Sequence, residues 1–184
     1  MGLCYNSGMK GKTVEERLSD YSRIRQEALE LYNTFGKVAC PALGQDIHFT
    51  SNGFNHLIYE RAKKERDKRA QILRFDLLSK AKFILEQSTT FQEFEEKMEW
   101  LPVNRQGKTV SVNQFVKTWG FVAVVQKFRI KVVATQVGNG KIEFFSVIPA
   151  WITRYYRNIK MIENSVGSGL LNDNDEEVLK NITS

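Results

Sequence analysis

The chain has 184 residues and a mass of 21.3 kDa, enough for one domain with tails or at most two small ones. Hydrophobic residues at 42% and charged residues at 26% exclude a wholly disordered chain, and no apolar run approaches the ~18–20 residues of a transmembrane helix. The net charge is +6 and uneven: Asp173, Asp175, Glu176 and Glu177 against Lys180 leave the last 21 residues at −3 and the first 163 at +9.

That balance suits a polyanion, of which nucleic acid is the commonest, and it equally suits solubility alone. Residues 1–12 read as a flexible N-terminus. Met1 to Lys12 lacks the apolar core of a signal peptide, and Asn6 stands where a myristoylation motif wants Ser or Thr. A cytoplasmic protein with no membrane partner is expected. Cys4 and Cys40 are too few for a disulfide framework and fit a reducing compartment. With His48 and His56 they form no Cys-x-x-Cys or His-x-x-x-His pair, and neither a P-loop nor a dinucleotide-binding glycine motif occurs. No metal or cofactor is expected.

Residues 13–163 read as one domain. Thr13 to Phe35 predicts a helix: Thr13 and Glu16 form a capping-box pattern, Val14, Leu18, Tyr21, Ile24, Ala28, Leu31, Tyr32 and Phe35 recur at helical spacing, and Gly36 stops it. Val38 to Pro41 looks extended, and Ile47 to Thr50 looks like a short strand. A second helix starts at Ser51 or Asn52, with Phe54, Leu57 and Ile58 on one face, and runs into the most charged stretch, Glu60 to Arg74. There Arg61, Lys63, Lys64, Arg66, Lys68 and Arg69, with Arg74, outnumber Glu60, Glu65 and Asp67. This stretch is either a solvated helix face or a phosphate-binding one.

Leu73 to Gln87 predicts another helix, and Thr90-x-x-Glu93 a capping box for a short helix through Met98. After Trp100 the pattern becomes β-branched, with Gly and Asn turns. Val110 to Phe115 is ambiguous, while Phe121 to Gln126, Phe128 to Val137 and Lys141 to Ile148 read as strands. Trp151 to Lys160 reads as a last helix and 164–184 as an acidic, disordered tail. The expected fold is α+β, N-terminal helices packed on an antiparallel sheet of about four strands.

Gly138-Asn139-Gly140 marks a hairpin. A three-residue loop sets Ile130, Val132, Ala134 and Gln136 beside Ile148, Ser146, Phe144 and Ile142 on one nearly apolar face, with Arg129, Lys131 and Thr135 opposite. Gln136 and Ser146 are then the polar members of that face; each is either satisfied within the fold or part of a site. His56 is either a hydrogen-bonded structural residue or an acid–base group. His48, between Ile47 and Phe49, points away from the core.

The segments Phe35-Gly36-Lys37-Val38-Ala39-Cys40-Pro41, Ile47-His48-Phe49-Thr50-Ser51-Asn52-Gly53-Phe54-Asn55-His56-Leu57, Ile130 to Lys141 and Phe144 to Trp151, in this order and spacing, resemble small bacterial and phage-associated domains of the barnase–EndoU–colicin–RelE-like nuclease superfamily. The resemblance spans about residues 35–155. It implies metal-independent RNA cleavage by 2′-hydroxyl attack in a toxin setting, with a cognate immunity or antitoxin protein as a further partner. The matching catalytic positions are His56, Lys131, Gln136 and Ser146: His56 as acid or base, Lys131 as phosphate clamp, Gln136 and Ser146 as donors. The register above sets Lys131 on the opposite face from Gln136 and Ser146, so either the strand bulges or Lys131 is only a surface residue. The alternative is a non-catalytic nucleic-acid-binding domain of the same fold, with Trp119, Phe121 or Tyr156 stacking on bases. A third reading is a protein-interaction role, with the acidic tail covering the basic face.

Overall fold

A computed structural model describes residues 13–60, 64–125 and 128–149. Two helices open it, α1 (Val14–Ser19) and α2 (Tyr21–Phe35). The Thr13–Glu16 capping box is present, its Thr13 hydroxyl accepting from the Glu16 N–H and its Glu16 carboxylate from the Thr13 N–H. One continuous helix was expected here; the chain instead breaks at Asp20. Strands β1 (Lys37–Cys40) and β2 (Gln45–His48) form a hairpin, followed by α3 (Ser51–Ile58). The basic stretch does not continue α3. An antiparallel bridge joins Tyr59 to Glu65, and the next helix, α4 (Lys68–Asp76), starts afresh under an Asp67 cap. A turn at Leu77 separates it from α5 (Leu78–Gln87).

Then come β3 (Glu93–Arg105), β4 (Lys108–Val125), β5 (Phe128–Val137) and β6 (Ile142–Pro149). The helix expected from Thr90 to Met98 is thus a strand. Its period is two: Phe94, Met98 and Trp100 alternate with Glu93, Glu95, Lys97 and Glu99, which outweighs a four-residue capping pattern. Gln106 and Gly107, both at positive φ (51° and 78°), close the β3–β4 hairpin as a two-residue turn.

The α+β class holds, but the sheet has six strands in the order β1-β2-β6-β5-β4-β3, and it is mixed, because β2 joins β6 in parallel. Helices pack on one face. There Ile130, Val132 and Ala134 of β5, Ile142, Phe144 and Val147 of β6, and Trp119 and Phe121 of β4 share a core with Tyr32, Leu57, Phe75, Leu78 and Leu85. Trp119 and Phe121 are therefore core residues and not base-stacking surfaces.

Near the turn the three-residue loop register is as expected, with Gln136 opposite Ile142 and Ala134 opposite Phe144. Between Val133 and Ala134 the register shifts by one, so that Phe145 is an extra residue in β6 and Ser146 pairs with Val133. The bulge turns Ser146 to the helix-free face, which is also the face of Lys131. The expected helix Trp151 to Lys160 and tail 164–184, like residues 1–12, lie outside the described residues.

Candidate functional site

The last turn of β2 delivers the chain to α3, which continues along the edge of β6. Tyr32 anchors this junction: its ring makes edge contacts with Phe49, Phe54 and Phe144, and its hydroxyl donates to the Thr50 carbonyl at 2.9 Å. Gly53 lets the helix approach closely, since a Cβ there would collide with the Tyr32 hydroxyl and the Phe144 carbonyl. Phe54, Leu57 and Ile58 turn to the core, while Asn52, Gly53 and His56 face a cleft of about 500 Å³.

The cleft opens on the helix-free face of the sheet. Glu143 and Phe145 of β6, Thr135 and Val137 of β5 and Val116 and Thr118 of β4 line it, and Lys97, Glu99 and Leu101 of β3 close its far side. Twist and curvature bring the first and fourth strands of this meander around one cavity. Thr118 and Thr135 are direct cross-strand partners on its floor. Lys97 Nζ lies 2.8 Å from Glu99 and 3.6 Å from Glu95, so its charge is shared with neighbours on its own strand.

His56 is half-buried. Its ring lies 3.9 Å from that of Phe145, at 38°, a contact the bulge makes available. Burial lowers its pKa below the usual histidine value, and the nearby Arg66 guanidinium lowers it further. The imidazole is consequently neutral at neutral pH and able to accept a proton. Arg66 holds the same helix end: its Nε donates to the His56 carbonyl at 3.3 Å and its backbone N–H to that of Ile58 at 2.8 Å. Gln71, fully buried, donates to the Arg66 carbonyl at 2.8 Å and accepts from the Tyr21 hydroxyl, tying α2 and α4 to this segment.

Of the four expected catalytic residues, only His56 lines the cleft. Lys131 is buried and its Nζ pairs with Glu93 at 3.0 Å, reaching across β4 near Gly120, where no side chain intervenes. Ser146 shares that face but is buried beside the bulge, and does not line the cleft. Gln136 lies on the helix-side parity and closes the hairpin turn by donating to the Gly140 carbonyl at 2.7 Å. The four expected phosphate-binding residues that are described do not form one helix face either. Lys64 and Lys68 are exposed, Lys68 standing 5.0 Å over the Tyr21 ring, whereas Arg66 and Arg69 are half-buried. Arg61 and Lys63 lie outside the described residues.

Asn52, Thr118, Thr135 and Phe145 were missed by sequence reasoning. Thr135 alternates with Lys131 and Val133, which marked its face, but Thr118 and Phe145 depend on strand order and on the bulge. Among the described residues no cluster of His, Cys, Asp and Glu is arranged to hold a metal ion, and no helix is long and apolar enough to cross a membrane. Comparison with known proteins found no match among family models, curated proteins or solved structures.

Proposed function

We propose that the chain is a metal-independent endoribonuclease acting in the cleft between α3 and the helix-free face of the sheet, with His56 as general base. The observation that carries this reading is the neutral, half-buried imidazole on the wall of a cavity large enough for a nucleotide. His56 takes the ribose 2′-hydroxyl proton. The 2′-oxygen bonds to phosphorus, the bond to the 5′-oxygen breaks, and water protonates that oxygen, leaving a 2′,3′-cyclic phosphate and a 5′-hydroxyl. The Thr118 and Thr135 hydroxyls and the Asn52 amide serve as donors to the phosphate oxygens, neutral groups that replace the lysine first expected in that role. Cytoplasmic RNA as substrate, a toxin setting and a cognate immunity or antitoxin partner go with this reading.

Incubating the purified protein with total RNA in the presence of EDTA tests it. Cleavage leaving cyclic phosphate ends is expected, with His56→Ala reducing the rate roughly 10²–10⁴-fold. Cleavage undiminished in that variant would remove His56 from the mechanism. A second reading, nucleic-acid binding without catalysis, is favoured by one observation: the Lys131 ammonium is neutralised by Glu93 and lies outside the cleft. Salt-sensitive RNA retention without cleavage would select it.

A further inference from the structure

The outermost strand carries a surface that the cleft does not use. β3 runs 13 residues without a register shift against β4, and among the described residues nothing pairs with its outer edge. A long regular edge templates pairing with another chain. On the helix-side parity of this edge, Trp100 is 70% exposed, Phe115 54% and Met98 47%. Phe115 stands directly opposite Met98 and diagonally from Trp100, so the three form one apolar strip. On the cleft side the strand reads Glu95, Lys97, Glu99. The alternating charges of Glu95, Lys97 and Glu99 along an unpaired backbone edge, beside an exposed apolar strip, point to a protein strand as the occupant.

We propose that this occupant is a second copy of the chain, its β3 pairing antiparallel with the first about a twofold axis at Met98. Charge order over Glu93 to Glu99 makes this stretch self-complementary in one register. In an isologous strand pair, residues equidistant from the axis face each other. With the axis at Met98, Lys97 of each copy faces Glu99 of the other and Met98 faces Met98. With the axis at Glu95, Glu96, Lys97 or Glu99, the central residue meets its own charge. Among axes from Phe94 to Glu99, where the charges are densest, only the Met98 axis sets opposite charges together without a like pair. Backbone hydrogen bonds and the adjoining apolar strips supply the attraction, and the half-buried ion pairs fix the register. The two clefts, each lined by Lys97, Glu99 and Leu101, then flank one seam in a continuous twelve-stranded sheet.

Size-exclusion chromatography with light scattering on the full chain tests the pairing independently of RNA cleavage. The wild type is expected at twice the 21.3 kDa chain mass. Lys97→Glu sets like charges opposite twice over, and the dimer should weaken at least about tenfold. The double exchange K97E/E99K restores both opposite pairs and should restore the dimer. Unfolding midpoints measured alongside establish that each variant is folded. A monomeric wild type at tens of micromolar overturns the proposal, as does an undiminished K97E dimer or a folded double variant that stays monomeric. A monomer that loses single-stranded RNA on Trp100→Ala would assign the strip to RNA instead.

Discussion

β4 passes through two environments. Its inner part, from Val116 to Phe121, is roofed by helices and lies between two strands, and Phe121 there is fully buried. Its outer part, before Val116, reaches beyond the helices and pairs only with β3, and Phe115 there is 54% exposed. The residues are alike in type, as Trp119 at 8% and Trp100 at 70% also are. Apolarity alone therefore does not separate core from contact surface; the reach of the covering helices does.

Substitutions sharpen that contrast in graded steps. Phe121→Ala should cost about 3–5 kcal/mol, read as a lower urea midpoint at unchanged slope. A loss below ~1 kcal/mol would mean that the inner half is not closed core. Gly53→Ala should come next, at about 2–3 kcal/mol, because the added methyl drives α3 away from Tyr32 and β6. The same variant should shift the His56 ring resonances, since α3 carries that residue to the cleft.

His56 predicts a pH effect. Its folded pKa lies below the ordinary value of about 6.5, so the unfolded chain binds its proton first. Its contribution to stability is intact above pH ~6.5, falls as pH drops from there to the lowered folded value, and levels off below it. Unfolding midpoints of wild type and His56→Gln compared across this window should diverge as the pH falls, the wild type losing more. Smallest of all, Phe115→Ala should change monomer stability by no more than about 0.5 kcal/mol. A loss as large as that of Phe121→Ala would erase the distinction between the two halves.

The α+β class, the N-terminal capping box, the β5–β6 turn and most of the buried helical residues were legible because each rests on a local pattern. The six-strand sheet was not, since the parallel β2–β6 pairing joins residues about a hundred positions apart and leaves no local trace. His56 was legible as a candidate because it sat in a short apolar helix. Lys131 and Gln136 misled for opposite reasons. The glutamate that neutralises Lys131 becomes its neighbour only once β3 takes its place in the sheet, and Gln136 serves the turn it adjoins. The basic stretch was broken where Tyr59 pairs with Glu65, a bridge that its helical charge pattern concealed.

The bulge at Phe145 acts as a phase change in β6. Before it, Ile142 and Phe144 supply the core on even-numbered positions; after it, Val147 does so on an odd one. A strand written in two phases can exchange what stands in the cleft for what stands in the core by moving the extra residue a single step, with no change to turns, loops or strand order. Deleting Phe145 would put the strand in one phase throughout while Ser146 and Val147 keep their present faces, and the one side chain lost would be the ring that stands against His56.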